Sequence, residues 1–166
     1  HWMVRRQRQM CIRDSATTIY QNGAVASSAG YIIDGQTTDA PILGVLNGIF
    51  YNAATTLKPT FSNHYVQVTP ANSEDIDAFV FDNPQQQYVV ATDDSVAQSG
   101  YLETYDMNTS AGSTTTGKSS ATLDIGDTSA DAASFRLLRS AEDPENDENA
   151  AFRSVVVVPN LIELQS

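Results

Sequence analysis

Ile42-Leu-Gly-Val-Leu-Asn-Gly-Ile-Phe-Tyr51 is apolar at nearly every position and is interrupted only around Asn47-Gly48. A short, continuous apolar run of this kind reads as buried β-structure. Asn-Gly is the dipeptide that best tolerates the positive φ of a tight hairpin turn, so the stretch is expected to be a strand pair folded at Asn47-Gly48. The same grammar extends in both directions. His64 to Val68 alternates His-Tyr-Val-Gln-Val, and Ala78 to Asp82 and Gln87 to Thr92 flank Asn83-Pro84-Gln85-Gln86 as strand, turn and strand. Proline fits that turn because its ring fixes φ. Phe135 to Ser140 and Phe152 to Val158 are β-rich runs joined by the acidic loop Glu142 to Asn149, and Tyr101 to Tyr105 and Ala121 to Ile125 are further strands. The best helical stretch is one weak turn or two around Ser95 to Ser99. Asn108 to Ser120 is crowded with Ser, Thr, Ala and Gly and reads as a surface loop. About eight to eleven strands in one domain-sized chain give an all-β protein. The expected fold is a single small β-barrel or sandwich domain with long polar loops and little helix.

His1 to Ser15 stands apart from this pattern. Met10-Cys11-Ile12-Arg13-Asp14-Ser15 back-translates to ATG TGT ATA AGA GAC AGN, which contains the end sequence of transposase-made DNA libraries. The upstream part of the same adapter, CGT CGG CAG CGT CAG, encodes Arg5-Arg6-Gln7-Arg8-Gln9, and His1 to Val4 fits the flanking bases and index in the same frame. Residues 1–15 are therefore read as translated sequencing adapter, and 16–166 as a β domain whose native N-terminus is missing. These fifteen residues are expected to pack poorly against that domain, and a well-buried, fully hydrogen-bonded Arg5 to Asp14 would count against the adapter reading.

Setting the segment aside changes the composition. Arg5, Arg6, Arg8 and Arg13 are among the nine basic residues of the chain, whereas Asp14 alone is among its twenty acids, so the remainder is more acidic than the overall net charge of −11 suggests. Cys11 and Trp2, the single Cys and Trp, leave with it. What remains has no thiol chemistry and no Cys-based metal site. The acidic balance argues against binding nucleic acid or an anionic membrane, because both need clustered Lys and Arg, and it favours a self-repelling surface or a basic partner. No stretch approaches the roughly 18 apolar residues of a membrane span.

Several short patterns resemble chemistry. Gly112-Ser-Thr-Thr-Thr-Gly117-Lys118-Ser119 satisfies the phosphate-loop formula. A working phosphate loop needs a buried strand entering it and a helix leaving it, so that backbone amides converge on the phosphates. Met107 to Ala111 is not an apolar strand and Ala121 to Gly126 reads as one, so Gly112, Gly117, Lys118 and Ser119 are taken as a chance match. Glu142, Asp143, Glu145, Asn146, Asp147, Glu148 and Asn149 offer many hard oxygens, with Asp143, Glu145 and Asp147 the candidate calcium ligands. The twelve-residue calcium loop with its central Gly is absent, and a solvated loop is the plainer reading. Glu74, Asp75 and Asp77 read as a turn before a strand, or as a helix N-terminus that tolerates acids. His64, the single histidine after residue 15, is the base that a catalytic triad would require, but no nucleophile elbow accompanies it. Tyr31, Phe50, Tyr51, Tyr65, Phe79 and Phe81 suit either a carbohydrate-stacking surface or a core of alternating aromatics. Asn108-Thr109-Ser110 matches a glycosylation acceptor. No catalytic set and no cofactor site is assigned.

Ala24-Val-Ala26 after the extended Ile19-Tyr-Gln21, then Pro41-Ile-Leu-Gly-Val-Leu-Asn-Gly-Ile-Phe50, resembles small structural proteins encoded beside the major capsid protein of tailed bacteriophages. Gly112 through Asp124, Phe135-Arg-Leu-Leu138 and the Asp143-Pro-Glu-Asn146 loop leading into Val155 to Val158 are similar to the same group, so the resemblance covers most of Ala16 to Ser166. It implies a non-enzymatic virion protein on the phage head surface, a decoration or cement protein whose partner is the major capsid protein. A homotrimer follows by analogy. The alternative is a receptor- or glycan-binding module of a phage tail or fibre.

Overall fold

Ile76-Asp-Ala-Phe-Val-Phe81 buries every second side chain, with Ile76, Ala78 and Val80 inward and Asp77, Phe79 and Phe81 half-exposed. This two-residue period is the geometry of a pleated strand with one face on a core. The computed structural model describes residues 8–12, 16–35, 41–108, 112–126, 134–147 and 149–160. Its strands are β1 (Arg8–Ile12), β2 (Ala24–Ser28), β3 (Tyr31–Asp34), β4 (Gly44–Asn52), β5 (Pro59–Ser62), β6 (Ile76–Phe81), β7 (Tyr88–Ala91), β8 (Thr104–Tyr105), β9 (Phe135–Ser140) and β10 (Ser154–Pro159). Among the described residues helix is limited to single 3-10 turns at Ala71–Ser73 and Gln98–Gly100, the second overlapping the expected helical stretch. The protein is all-β, as its residue pattern predicts.

The first sheet runs β2-β3-β1-β6-β4-β5, and β2 also pairs with β4. These pairings close a ring of β1, β3, β2, β4 and β6, with β5 attached outside β4. Ile12, Ile32, Leu46, Ile49, Ile76, Val80 and Tyr65 fill its interior. Burying each of these large aliphatic side chains contributes about 1.5–3 kcal/mol. β2 and β3 meet through the tight turn Ala29-Gly30, in which both residues have positive φ (51° and 85°), the backbone that suits a two-residue hairpin.

The second sheet is β7-β10-β9-β8. Tyr105, Leu123, Phe135, Leu137, Val155 and Val157 form its core, and Ala24 and Ile42 join them from the first sheet's side of the molecule. The two cores thus meet in one domain. Asp106 Oδ1 accepts from the backbone N–H and the hydroxyl of Ser134, and Asp93 Oδ1 accepts from the Ile125 N–H. These bonds tie the long connection between β8 and β9 back onto the sheet.

Three expectations are corrected. Ile42 to Tyr51 is not a strand pair: Gly44 to Asn52 is one strand, and its register with β6 shifts between Leu46 and Gly48. Neither Asn47 nor Gly48 adopts positive φ, so the turn conformation that the dipeptide permits is not used. The strand, turn and strand expected around Asn83 to Gln86 are present as β6, a turn at Pro84-Gln85 and β7, which do not pair with each other. β7 instead crosses to β10 in the other sheet, because the intervening Asn83 to Gln87 carries the chain from one layer to the next. His64 to Val68 and Ala121 to Ile125 form isolated bridges instead of strands, through Tyr65 to Ile19 and through Leu123 to Thr92 and Met107.

The third correction concerns the segment read as translated adapter. Arg8 to Ile12 does not pack poorly: it pairs antiparallel with β6 over Arg8↔Val80 to Ile12↔Ile76, and parallel with β3 at Ile12↔Ile32. The reason is its period. Ile12 is 2% exposed and Met10 packs against the same core, while Gln9 points to solvent. His1 to Gln7 and Arg13 to Ser15 lie outside the described residues.

Candidate functional site

The outer face of the first sheet carries the most exposed aromatic group. In β5, Phe61 stands 70% exposed, and its ring stacks on that of Phe79 in β6 with centroids 5.5 Å apart and planes 12° from parallel. Phe50 of β4 completes the cluster, tilted at 53° with a centroid separation of 5.9 Å from Phe61. β5 and β6 flank β4 on opposite sides, so side chains on them normally remain a strand apart. Gly48 removes that barrier. A Cβ there would stand 3.0 Å from the Ser62 carbonyl oxygen and 3.8 Å from Phe61 Cε1. The absent side chain lets the rings close over the strand. Leu57, 71% exposed in the loop from β4 to β5, adds apolar surface nearby in the chain. Exposed aromatics that share one face mark interaction surfaces more often than solitary ones do.

A second feature lies where the two sheets meet. A cleft of about 700 Å³ is lined by Val45, Phe81, Tyr88, Met107, Phe135 and Val157, with Ser119 to Thr122 along one side. Tyr88 is its fixed point. Its hydroxyl donates to the Phe81 carbonyl at 3.0 Å, and its ring meets Phe135 edge-on at 6.4 Å. Burial, with a smaller contribution from Asp82, pushes the phenol up to about 12.

The phosphate-loop look-alike is a closed turn. Gly117 N–H donates to Ser113 O at 2.7 Å, Ser113 N–H to Lys118 O at 3.0 Å and Ser119 N–H to Gln21 O at 2.9 Å. Amides committed in this way do not converge on an anion. Gly117 has φ +71°, and its α-carbon faces Asn63 and His64 so closely that a Cβ would stand 2.5 Å from His64 Nδ1. Asn63 Nδ2 donates to Thr116 O at 2.8 Å, and His64 Nδ1 pairs with Asn63 Oδ1 at 2.8 Å while its ring stacks on Tyr20. His64, Gly112, Gly117, Lys118 and Ser119 therefore come together as a packed loop. Among the described residues no acid or hydroxyl nucleophile is placed on the imidazole.

The acidic loop between β9 and β10 is organised by Asn146. Its Nδ2 donates to Ser140 Oγ, Ala141 O and Ser154 O at 3.0, 3.1 and 2.9 Å, and its Oδ1 accepts the Ser154 N–H at 2.9 Å. Asp143 and Asp147 each accept a backbone N–H two residues on, from Glu145 and Asn149, and Glu142 pairs with Arg139 at 3.3 Å. Among the described residues no group of three or more His, Cys, Asp or Glu is placed to hold a metal ion. Glu148, Thr109 and Ser110 lie outside the described residues.

No protein-family model, curated protein or solved structure matches the chain.

Of the six aromatics that sequence reading grouped, the structure brings Phe50 and Phe79 together. Tyr65 is fully buried in the barrel and Tyr51 packs against the same core. Phe61, the most exposed ring of the cluster, was not among the six. The signal for it is Gly48, a glycine in an otherwise apolar strand, which announces that something crosses close by. No helix among the described residues is long and apolar enough to cross a membrane.

Proposed function

We propose that this protein is a non-enzymatic structural protein of a tailed-phage particle, bound to the outside of the capsid as a decoration or stabilising protein. The observation that carries the reading is the cluster of the exposed Phe61 with the half-buried Phe50 and Phe79, built over Gly48. A stabilising protein needs a fixed apolar surface to bury against its lattice, and aromatic side chains supply the most contact area for the least conformational entropy. The sequence resemblance supplies the partner, the major capsid protein, and a homotrimer is the assembly it suggests. The negative charge of the chain suits a soluble protein that associates at a defined face instead of spreading over polyanions.

The test is co-sedimentation of the protein with purified capsids at successive stages of maturation. The parent protein is expected in the capsid pellet and Phe61→Ser in the supernatant. A parent protein that stays in the supernatant at every stage overturns the reading. The coplanar pair Phe61 and Phe79 also supports the second reading, a glycan- or receptor-binding module of a tail or fibre, because sugar faces stack on such rings. Binding to a glycan array without capsid affinity selects it.

A further inference from the structure

We propose that the seam between β3 and β6 is a strand-accepting groove, and that in the natural chain it holds the extended segment immediately preceding Ala16, for which Arg8–Ile12 is a surrogate. The proposal rests on the adapter reading of residues 1–15. It arises from a reading and an observation that conflict on first sight: Arg5 to Ser15 can be back-translated into a library adapter, yet Arg8 to Ile12 closes the barrel.

An arbitrary pentapeptide can take this position because of what the groove asks for. β6 offers its backbone along Ile76 to Val80, and β3 meets the incoming strand at Ile32. Without an intervening strand these edges would carry unpaired N–H and C=O groups, and an extended chain of almost any sequence satisfies them. Side-chain selection is confined to the inward positions. Met10 and Ile12 complete a core made by Ile32, Ile76, Ala78 and Val80, while Gln9 and Cys11 face outward. Asp77 stands opposite Cys11 in the register, so the outer rim of the groove is acidic and suits neutral or basic residues.

The occupant is argued from chain connection. Only Arg13, Asp14 and Ser15 separate β1 from Ala16, and the chain is anchored soon afterwards by the Ile19 to Tyr65 bridge. A segment joined directly to Ala16 reaches the groove with little loop-closure entropy, whereas a strand from another molecule also loses translational freedom.

The groove is tested on the full chain with three paired variants: Met10→Lys with Ile12→Lys, Gln9→Lys with Cys11→Lys, and Met10→Val with Ile12→Val. The inward lysines are expected to lower the thermal midpoint by about 10 °C or more, or to prevent folding, while the other two pairs stay within about 3 °C of the parent. Outward lysines that destabilise as much as inward ones show that the groove reads this particular sequence, and overturn its generic character. The occupant is tested separately by resequencing the source DNA from a library made without transposase. The expected result is a different segment before Ala16, apolar at alternating positions, which keeps or raises the midpoint when it replaces residues 1–15. Recovery of the codons for Arg5 to Ser15 overturns the adapter reading and with it the claim that Arg8–Ile12 is a surrogate. A native upstream segment without alternating apolar residues overturns the occupant.

Discussion

The rings of Phe61 and Phe79 stack 5.5 Å apart across a strand to which neither belongs, and Gly48 is the residue that lets them meet. The arrangement couples a backbone irregularity to a surface feature. Gly48→Val should therefore act twice. Its side chain collides with the Ser62 carbonyl, destabilising the protein by about 1–3 kcal/mol, and it separates the two rings. Phe61→Ser removes a ring that is mostly in solvent and is expected to change stability by less than about 1 kcal/mol. Capsid co-sedimentation alongside urea denaturation separates the effects: both variants lose binding, and only Gly48→Val loses substantial stability.

Gly117 carries a similar argument for the phosphate-loop look-alike. Its φ of +71° and its packing on Asn63 and His64 make any Cβ costly, so Gly117→Ala is expected to lower stability by about 2 kcal/mol or more. Lys118 is exposed, and Lys118→Ala should stay within about 0.5 kcal/mol of the parent. Millimolar ATP with magnesium is expected to leave the thermal midpoint unchanged. A midpoint that rises with ATP and no longer does so in Lys118→Ala would restore the nucleotide reading.

Asn146 holds the acidic loop with four side-chain hydrogen bonds reaching Ser140, Ala141 and Ser154. Asn146→Ala removes all four bonds, although Ser154 O and Ala141 O keep the N–H groups of Ala141 and Asp143, with an expected loss of about 2 kcal/mol, or about 5 °C in thermal midpoint. Asp143→Asn, Glu145→Gln and Asp147→Asn keep the local turns and should each fall within about 0.5 kcal/mol. Calcium titration followed by thermal shift checks the same loop, and a midpoint that climbs with calcium would identify Asp143, Glu145 and Asp147 as ligands after all.

How far the sequence could be read depends on what each signal encodes. β6 was legible because burial on one face alone produces its alternation, and β9 and β10 were legible because an acidic loop separates two apolar runs. Partners were not legible: alternation states that a strand has an inside, and says nothing about which neighbour it meets, so the pairing of β6 with β1 and β4 and of β7 with β10 could not be read. Asn47-Gly48 misled for a sharper reason. The same glycine serves a turn through positive φ or a close approach through its missing Cβ, and only the position of Ser62 and Phe61 decides between them. Arg8 to Ile12 misled in the opposite way, because coding history carries no information about whether a segment has the period of a strand.

Tyr88 gives the cleft a pH signature. Its phenol is raised from 10.0 to about 12 by burial and, secondarily, by Asp82, so the folded state favours the neutral form. That contribution is intact below pH 10, where folded and unfolded chains are both protonated, and is lost as pH rises towards about 12. Tyr88→Phe removes the hydroxyl and its bond to Phe81 O, an expected loss of about 1 kcal/mol at neutral pH. Urea midpoints measured across the alkaline range should fall more steeply for the parent than for Tyr88→Phe. Parallel curves would show that the phenol ionises as freely in the folded state as in the unfolded one.

Cys11 reports whether the seam is filled. It is the single cysteine, half-buried on the outer side of β1, and burial first, then the charges of Asp75 and Asp77 and a hydrogen bond to Asp75, raise its thiol above 9.0. A raised thiol is less populated as thiolate at any alkaline pH, and the thiolate is the form that reacts. Its contribution to stability is complete below pH 9 and declines as pH rises through the folded value. Alkylation at pH 8 is therefore expected to be at least about tenfold slower in the folded protein than in urea. Asp75→Asn with Asp77→Asn should recover part of that difference and leave the share due to burial. Labelling in buffer as fast as in urea would mean that Arg8 to Ile12 spends most of its time out of the barrel, with β3 and β6 unsealed.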